Sequence, residues 1–507
     1  MNFKDNLLTT NKYWIYFILI LLAYILYRFQ DANYQHPEME IITFIAMSLA
    51  SIFIIAYFQS NSDDENLYKT AFIIILVFGM IFSLINPICV GPDEVEHFIR
   101  SELTSRGEFI PEYVNGSYHT IQSCTDLIKD NRIHYDNGFD EMLGKATIFN
   151  TAADTKPINH TLTEYPSAFA QNPFYGYLAP AVGILIAKLF NMNAIWMVWL
   201  GRMFNVVLYA GLSAIAIKKT PILKMPMLVF ACIPLAIYLG ATTSIDAFIN
   251  GMGLVTISYF FYMYKASENE LTKRHILTFT AFVMLLGLAK LTCFAFILLL
   301  PFIPKSNFKN EKDYYLGFIA IAVVLAAAVA WTKIYANPGF LQSWRGNAWA
   351  IQGFNSTRQM DYILHHPTET VSELLNMPLH LQDALSFSRN FEDFFDMMYI
   401  AFIVLTIFLY PKDTENIKSR IGALLVSLIF YVSTYVSFML AWCEVRVLSN
   451  YYMGVQIRYF YPMMSLLPFI FNIRYLKARN QNLDSWIITA VLLFISFRVL
   501  KYIIAAY

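Results

Sequence analysis

TAFIIILVFGMIFSLINPI (Thr70–Ile88) runs directly into CVGPDEVEHFIR (Cys89–Arg100). The first string has no charged side chain and is about as long as the ~20 apolar residues a helix needs to cross a bilayer. The second crowds Asp93, Glu94, Glu96, His97 and Arg100 into the few turns that follow. A membrane-length run that empties into charge sets the class of fold: an all-α, polytopic membrane protein with polar chemistry at a bilayer surface. Working outward, similar apolar runs occur at Tyr13–Phe29, Ile41–Phe58, Asn193–Ile217, Met225–Leu239, Ala247–Tyr264, Ile276–Ala289, Leu291–Phe302, Tyr314–Ile334, Tyr399–Tyr410, Ile421–Ala441, Tyr459–Phe471 and Ser485–Ile504. With Thr70–Ile88 this predicts about thirteen transmembrane helices.

Composition carries the same message. Hydrophobic residues make up 57% of the 507 and charged residues 14%, against roughly 45–50% and about 25% in soluble domains. That excludes an ordinary soluble enzyme and a disordered chain. A net charge of +0 offers nothing to a polyanion, so nucleic acid is not an expected partner. The five cysteines form no metal-type cluster with histidine, and no spacing decides whether Cys89 and Cys124 pair. Asn115, Asn159 and Asn355 each open a glycosylation-type tripeptide, a pattern common by chance.

Lys and Arg prefer cytoplasmic loops. One arrangement puts inside Lys4 and Lys12, the groups at 218–224, 265–274 and 305–312, then Lys412, Lys418 and Arg420, and finally Arg474, Lys477 and Arg479. The N-terminus is then cytoplasmic and Phe174–Phe190 does not cross. That stretch is short, begins with aromatics and contains Gly176, Pro180 and Gly183, which suits a helix lying in the outer interface. The expected organisation is an N-terminal two-span extension (1–69) and a membrane core (70–335). The core contains a first outer loop, 89–171, and the juxtamembrane stretch 174–190. A second outer loop (336–397) and C-terminal spans (398–507) complete it. Loops of this length are commonly functional.

Within this frame the informative residues are the charges at the membrane. Pro92 and the acids after it suit the start of a helix, which would place Asp93, His97 and Arg100 on one face at i, i+4 and i+7 and pair Glu96 with Arg100. Asp93 and Glu94 are then either simple caps or carboxylates placed to act as a general base or to ligate a cation. Arg202, Asp246, Lys290 and Arg458 interrupt or border apolar runs, all toward the same outer side. Charges there are costly and commonly functional, although snorkelling or mutual pairing is the plainer alternative. Trp344, Trp349 and Tyr362 in the second loop are candidates to stack on sugars or to pack the loop.

These residues in this order resemble an uncharacterised bacterial membrane family, domain-of-unknown-function family 2142. Pro92-Asp-Glu with His97 and Arg100 matches the opening of its pattern. Gly201-Arg202, Ser244-Ile-Asp246 and Gly287-Leu-Ala-Lys290 follow, and Gln456-Ile-Arg-Tyr459 before Pro462 closes it. The chain departs from the pattern at Gly91, where the family usually has a first proline, and carries two extra N-terminal spans. That family is in turn similar to the GT-C glycosyltransferases, polytopic enzymes with an acidic residue in the first large outer loop, juxtamembrane helices, and a polyprenyl-phosphate sugar donor. The resemblance implies Asp93 as catalytic base with Glu94 as its partner or a metal ligand. It implies Arg202, Lys290 and Arg458 for the donor phosphate, with His97, Arg100, Asp246, Gln456 and Tyr459 as further substrate contacts. A divalent cation, Mg or Mn, is compatible with adjacent carboxylates and not demanded by them. The implied activity is inverting transfer of a sugar from the lipid carrier to a cell-surface glycan or other envelope acceptor, at the outer face of the cytoplasmic membrane. The alternative is a transporter or flippase for lipid-linked glycans, which predicts charges spread over both leaflets and related halves.

Overall fold

A computed structural model describes residues 9–29, 37–61, 63–114, 117–134, 140–142, 156–336, 353–376, 394–410, 416–448, 455–471 and 480–506. Trp344, Trp349, Asn115, Lys4, Lys412, Arg474, Lys477 and Arg479 lie outside them. The fold is mostly helical. Among the described residues, six helices are long and apolar enough to cross a membrane: Pro37–Ser60, Leu67–Ile85, Ile195–Lys219, Glu311–Ala336, Ile417–Ala441 and Gln481–Ile504.

Several of the remaining apolar runs are broken or wound differently, each with a proline, which lacks the N–H that an α-helix needs and clashes with the preceding turn. Met225–Leu239 becomes two short helices, Lys224–Ala231 and Pro234–Gly240. Leu291–Phe302 is a tight 3-10 helix containing Pro301. Tyr459–Phe471 divides into the pieces Ile457–Phe460, Tyr461–Met464 and Leu467–Phe471 around Pro462 and Pro468.

The chain forms two compact units. The first comprises Met1–Lys219, Met227–Val255 and Ala478–Tyr507. Its elements are α1 (Asn11–Arg28), α2 (Pro37–Ser60), α3 (Leu67–Ile85), α4 (Glu94–Ser105), α5 (Gln122–Asn131), α6 (Leu178–Leu189), α7 (Ile195–Lys219), the two short helices named above, the start of Asp246–Lys265, and the last helix, Gln481–Ala506. The two N-terminal helices are tied to this last helix. Tyr13 donates to Asn482 Oδ1 at 3.0 Å and meets Trp486 edge-on, and Tyr24 stacks on Phe497 at 4.5 Å.

The described residues of 89–171 are folded, and the only described strands lie among them. β1 (Tyr118–Ile121) pairs antiparallel with β4 (Leu162–Tyr165), and β2 (Arg132–His134) with β3 (Asp140–Met142). Val95, Ile99 and Leu103 of α4 join Ile121, Cys124 and Ile184 in one apolar core that reaches the start of α7. Cys89 and Cys124 are both buried, and neither is in a disulfide. A buried charge cluster fastens loop to helix. Glu102 accepts from Lys188 Nζ at 2.7 Å, Arg106 Nε at 2.8 Å and Thr120 Oγ1 at 2.7 Å.

The stretch 174–190 is a turn of 3-10 helix followed by α6. At 1.5 Å per residue α6 is ~18 Å long, well short of a ~30 Å hydrocarbon core. It packs backbone to backbone on α7. A Cβ built on Gly183 would collide with the Leu200 carbonyl and stand 2.7 Å from Gly201 N. Backbone cannot move aside as a side chain can, so Gly183→Val is expected to cost about 1–3 kcal/mol and to lower the thermal midpoint of the detergent-solubilised protein. An unchanged midpoint would contradict this contact.

The second unit comprises Thr220–Pro226 and Thr256–Lys477. It is built around α11 (Lys273–Ala289), the 3-10 helix Leu291–Phe302, α12 (Glu311–Trp331) and α16 (Ile417–Trp442), with α13 (Ser356–His365), α14 (Pro367–Asn376) and α15 (Phe394–Leu409) between the last two. Here α8 and α9 denote Lys224–Ala231 and Pro234–Gly240, and α10 denotes Asp246–Lys265. Phe296 stacks on Phe430 at 5.4 Å, and Ser419 Oγ donates to the Phe302 carbonyl at 2.6 Å. Gln359 links α13 to the segment after α16, donating to Val447 O and accepting from Arg446 N.

Candidate functional site

Helix α4 begins at Glu94, two residues after the Pro92 expected at its first position, and it is buried from Glu94 to Thr104 despite its charges. Such burial is tolerable only if each charge is paired and hydrogen-bonded. The partners are specific. Glu96 accepts from Ser167 Oγ at 2.9 Å and Ala168 N at 2.8 Å. Arg100 donates to the carbonyls of Asn172 (2.8 Å), Glu108 (3.2 Å) and Phe109 (2.9 Å) and to Thr104 Oγ1.

Glu94 is met by Arg202 in a two-pronged pair, Nε to Oε1 at 2.7 Å and Nη2 to Oε2 at 2.6 Å. The same guanidinium donates to the carbonyls of Ser83 (3.2 Å), Asn86 (2.6 Å) and Pro87 (2.9 Å). All five N–H groups of Arg202 are thus engaged, four segments of backbone and side chain converging on a residue with no exposed surface. Arg202 therefore clamps the end of α3 to the start of α4. The phosphate contact implied for it by sequence would have to displace these bonds.

Asp93 is different. It occupies the N-cap of α4 with φ +55°, and its side chain makes no capping bond. It is partly exposed where Glu94, Glu96, His97 and Arg100 are buried. Left-handed backbone at a residue other than glycine costs about 1–2 kcal/mol, with Asp among the more tolerant types, and such outliers gather at functional sites. Cys89, four residues earlier, is also left-handed, φ +66°. The Asn86–Asp93 turn is therefore held in an uncommon shape, and Arg202 is what holds it.

The loop at 241–246 closes over this turn. Asn205 Nδ2, one turn beyond Arg202 on α7, donates to the carbonyls of Thr242 and Ser244 at 2.7 and 2.8 Å. Thr243 Oγ1 donates to Glu94 O at 3.4 Å, and a Cβ on Gly91 would stand 2.7 Å from the Thr242 methyl. Gly91, where the family pattern has proline, thus sits at a close approach. Asp246 follows at the start of α10, its N–H bonded to Ser244 Oγ at 3.1 Å. Three motifs far apart in sequence, Pro92-Asp-Glu, Gly201-Arg202 and Ser244-Ile-Asp246, form one cluster.

Sequence reasoning missed Tyr177. Its hydroxyl accepts from Asn172 Nδ2 at 3.0 Å and lies 2.8 Å from His97 Nδ1. Burial pushes this phenol up, the nearby Asp246 and Asp93 charges push the same way, and Asn172 and Arg100 oppose them. Tyr177 therefore stays protonated and shares a hydrogen bond with His97 Nδ1. The signal for it was the aromatic start of 174–190, read only as an interface preference. Tyr177→Phe strands Nδ1 of a buried histidine and is expected to cost about 1–3 kcal/mol, read as a lower thermal midpoint. A value equal to the parent would remove the bond from the account.

Glu94 is committed to Arg202 and also accepts from Gly91 N at 3.3 Å, so the adjacent carboxylates present a single acid, Asp93. Among the described residues no three His, Cys, Asp or Glu stand close enough to hold a metal ion. The Asp93-Glu94 donor set does not fit the divalent cation considered from sequence, and no step is derived through one.

The second unit gathers the remaining candidates. Lys290 caps α11 in extended backbone, donates to Tyr459 O at 3.1 Å and sits over the Tyr459 ring at 4.3 Å. The Arg458 guanidinium is 5.1 Å from the same ring, and Arg458 Nη2 reaches Tyr459 Oη at 3.3 Å. Gln456 precedes the 3-10 turn that carries them and accepts Tyr459 N at 3.0 Å. Two cations share one aromatic ring, an arrangement that concentrates positive charge. Tyr362 donates to Glu369 Oε2.

Residues 76–467 match the family of predicted membrane proteins DUF2142. The chain belongs to this family. The matched region contains every candidate residue, and α1 and α2 precede it, as the extra N-terminal helices. No curated protein and no solved structure matches the chain. Membership in DUF2142 establishes a membrane protein and leaves its chemistry to be argued from the residues.

Proposed function

We propose that this DUF2142 protein is a membrane glycosyltransferase that moves a sugar from a polyprenyl-phosphate carrier to a cell-envelope acceptor on the outer face of the cytoplasmic membrane. The observation that carries this reading is Asp93: a partly exposed carboxylate at the left-handed N-cap of α4, on a turn held by the buried Glu94–Arg202 pair. Asp93 takes the proton of the acceptor hydroxyl as its oxygen bonds to the anomeric carbon. The bond from that carbon to the carrier phosphate breaks on the opposite side, the phosphate leaves with the electron pair, and the product is inverted. In this reading His97 and Asp246 contact the substrate near Asp93.

The test is Asp93→Asn in a strain without the native gene, scored by surface-glycan composition and by sugar transfer from labelled carrier in isolated membranes. Loss of transfer at normal protein level supports the reading. Wild-type transfer by the variant removes Asp93 from the chemistry, and carrier movement across vesicles without transfer favours a flippase.

A further inference from the structure

The 89–190 region carries an apolar surface that its own fold leaves uncovered. On α6, Leu178, Val182, Leu185 and Leu189 recur at i, i+4, i+7 and i+11 and are all exposed, Leu189 at 73%. That spacing is one face of a helix. The other face is buried against α7 and α4, and the only charged residue of the helix, Lys188, is turned inward onto Glu102 and Ser105. The exposed face therefore has no polar side chain at all.

A second piece lies beside it. Ile110 is 76% exposed at the tip of the turn after α4, and the Phe109 ring is 4.5 Å from Phe174, one turn ahead of Leu178. Arg100 joins the two pieces. Its donors hold the carbonyls of Glu108 and Phe109 on the tip and of Asn172 at the approach to α6. One buried guanidinium thus sets tip and helix side by side.

We infer that this surface is seated among the acyl chains of the leaflet adjoining the 89–171 loop, as a two-part lipid anchor aligned by Arg100. Lipid is the occupant because the surface is continuous with the membrane helices. Phe190, also exposed, leads within a few residues into membrane-length α7, and membrane-length α3 ends shortly before α4. Exposed apolar patches of this kind mark membrane or partner contacts. The charge pattern of the sequence addresses only 174–190; the Phe109–Ile110 tip and the role of Arg100 come from the tertiary contacts. The inference does not depend on glycosyl transfer. It would fix the height of the Asp93 turn at the bilayer surface.

The five native cysteines are buried, so introduced cysteines report cleanly. Ile110→Cys, Val182→Cys and Leu185→Cys in the full chain, with Glu164→Cys on β4 as the polar comparison, are labelled with an environment-sensitive fluorophore in phosphatidylcholine–phosphatidylglycerol vesicles. The first three should be quenched by doxyl-labelled lipid and not by aqueous iodide, and position 164 the reverse. Iodide quenching at 110, 182 and 185 overturns the inference, as does protection from both quenchers, which means a protein cover. With Arg100→Lys added, the label at 110 should lose its lipid quenching while that at 182 keeps it. Loss at both positions or at neither overturns the part assigned to Arg100.

Discussion

Asp93→Gly is expected to abolish activity while leaving the fold at least as stable as the parent. Position 93 is left-handed, φ +55°, a conformation open to glycine without the steric cost that a side chain meets. Relief of that cost, less the added freedom of glycine in the unfolded chain, amounts to roughly 0.5–1 kcal/mol. Asp93 makes no N-cap bond with its side chain, so no capping bond is lost to offset the gain. Removing a general base costs on the order of 10²–10⁴ in rate. The decisive measurement is the pair: thermal midpoint in detergent, and sugar transfer in membranes. A variant that is both unstable and inactive would make Asp93 a structural residue, and one that is stable and active would leave the proposed reaction without its base. Asp93→Asn should match glycine in activity and the parent in stability, since Asn also tolerates this backbone.

Arg202→Met is expected to be the most destabilising single substitution in the first unit. It leaves the Glu94 carboxylate buried with no cation and removes the donors to the Ser83, Asn86 and Pro87 carbonyls. Stranding one partner of a buried pair typically costs about 3–5 kcal/mol. Lysine should restore little, because an ammonium with three donors cannot serve five acceptors in a planar fork. Adding Glu94→Gln to Arg202→Met should recover part of the loss, with a coupling of about 0.5–3 kcal/mol between the two sites. Unfolding of the four proteins in a double-mutant cycle measures this. Strict additivity would mean that the two residues do not act as one clamp. Residual folded Arg202→Lys protein should lose transfer as well, because the turn that presents Asp93 is no longer held.

The contrast between these residues shows what was legible. The run before Ile88 and the start of a helix after Asp93 were readable because hydropathy and helix-start chemistry are local. The breaks at Pro234 and Pro462 were readable in principle from the prolines, yet apolar length outweighed them. The roles inside the charged group were not readable. Glu96 and Arg100 suggested a pair by spacing; what spacing could not show is that they also bond to Ser167, Ala168 and the Asn172, Glu108 and Phe109 carbonyls. Asp93 and Glu94 are adjacent and chemically alike, but one is partly exposed and the other is locked to a residue 108 positions away.

By itself the sequence determined a helical membrane protein, the place where charge meets the bilayer, and the order of motifs that marks the family. These follow from transfer free energy and local backbone preference, which neighbouring residues settle among themselves. Only the tertiary structure decided that Arg202 is a saturated clamp and that the Tyr177 hydroxyl meets His97 Nδ1. It also decided that Asp93 is the acid left accessible, and that Phe109 and Ile110 lie beside α6. The physical reason is that a buried charge takes whichever partners the packed fold brings within about 3 Å, and in a helical membrane protein those partners come from distant parts of the chain.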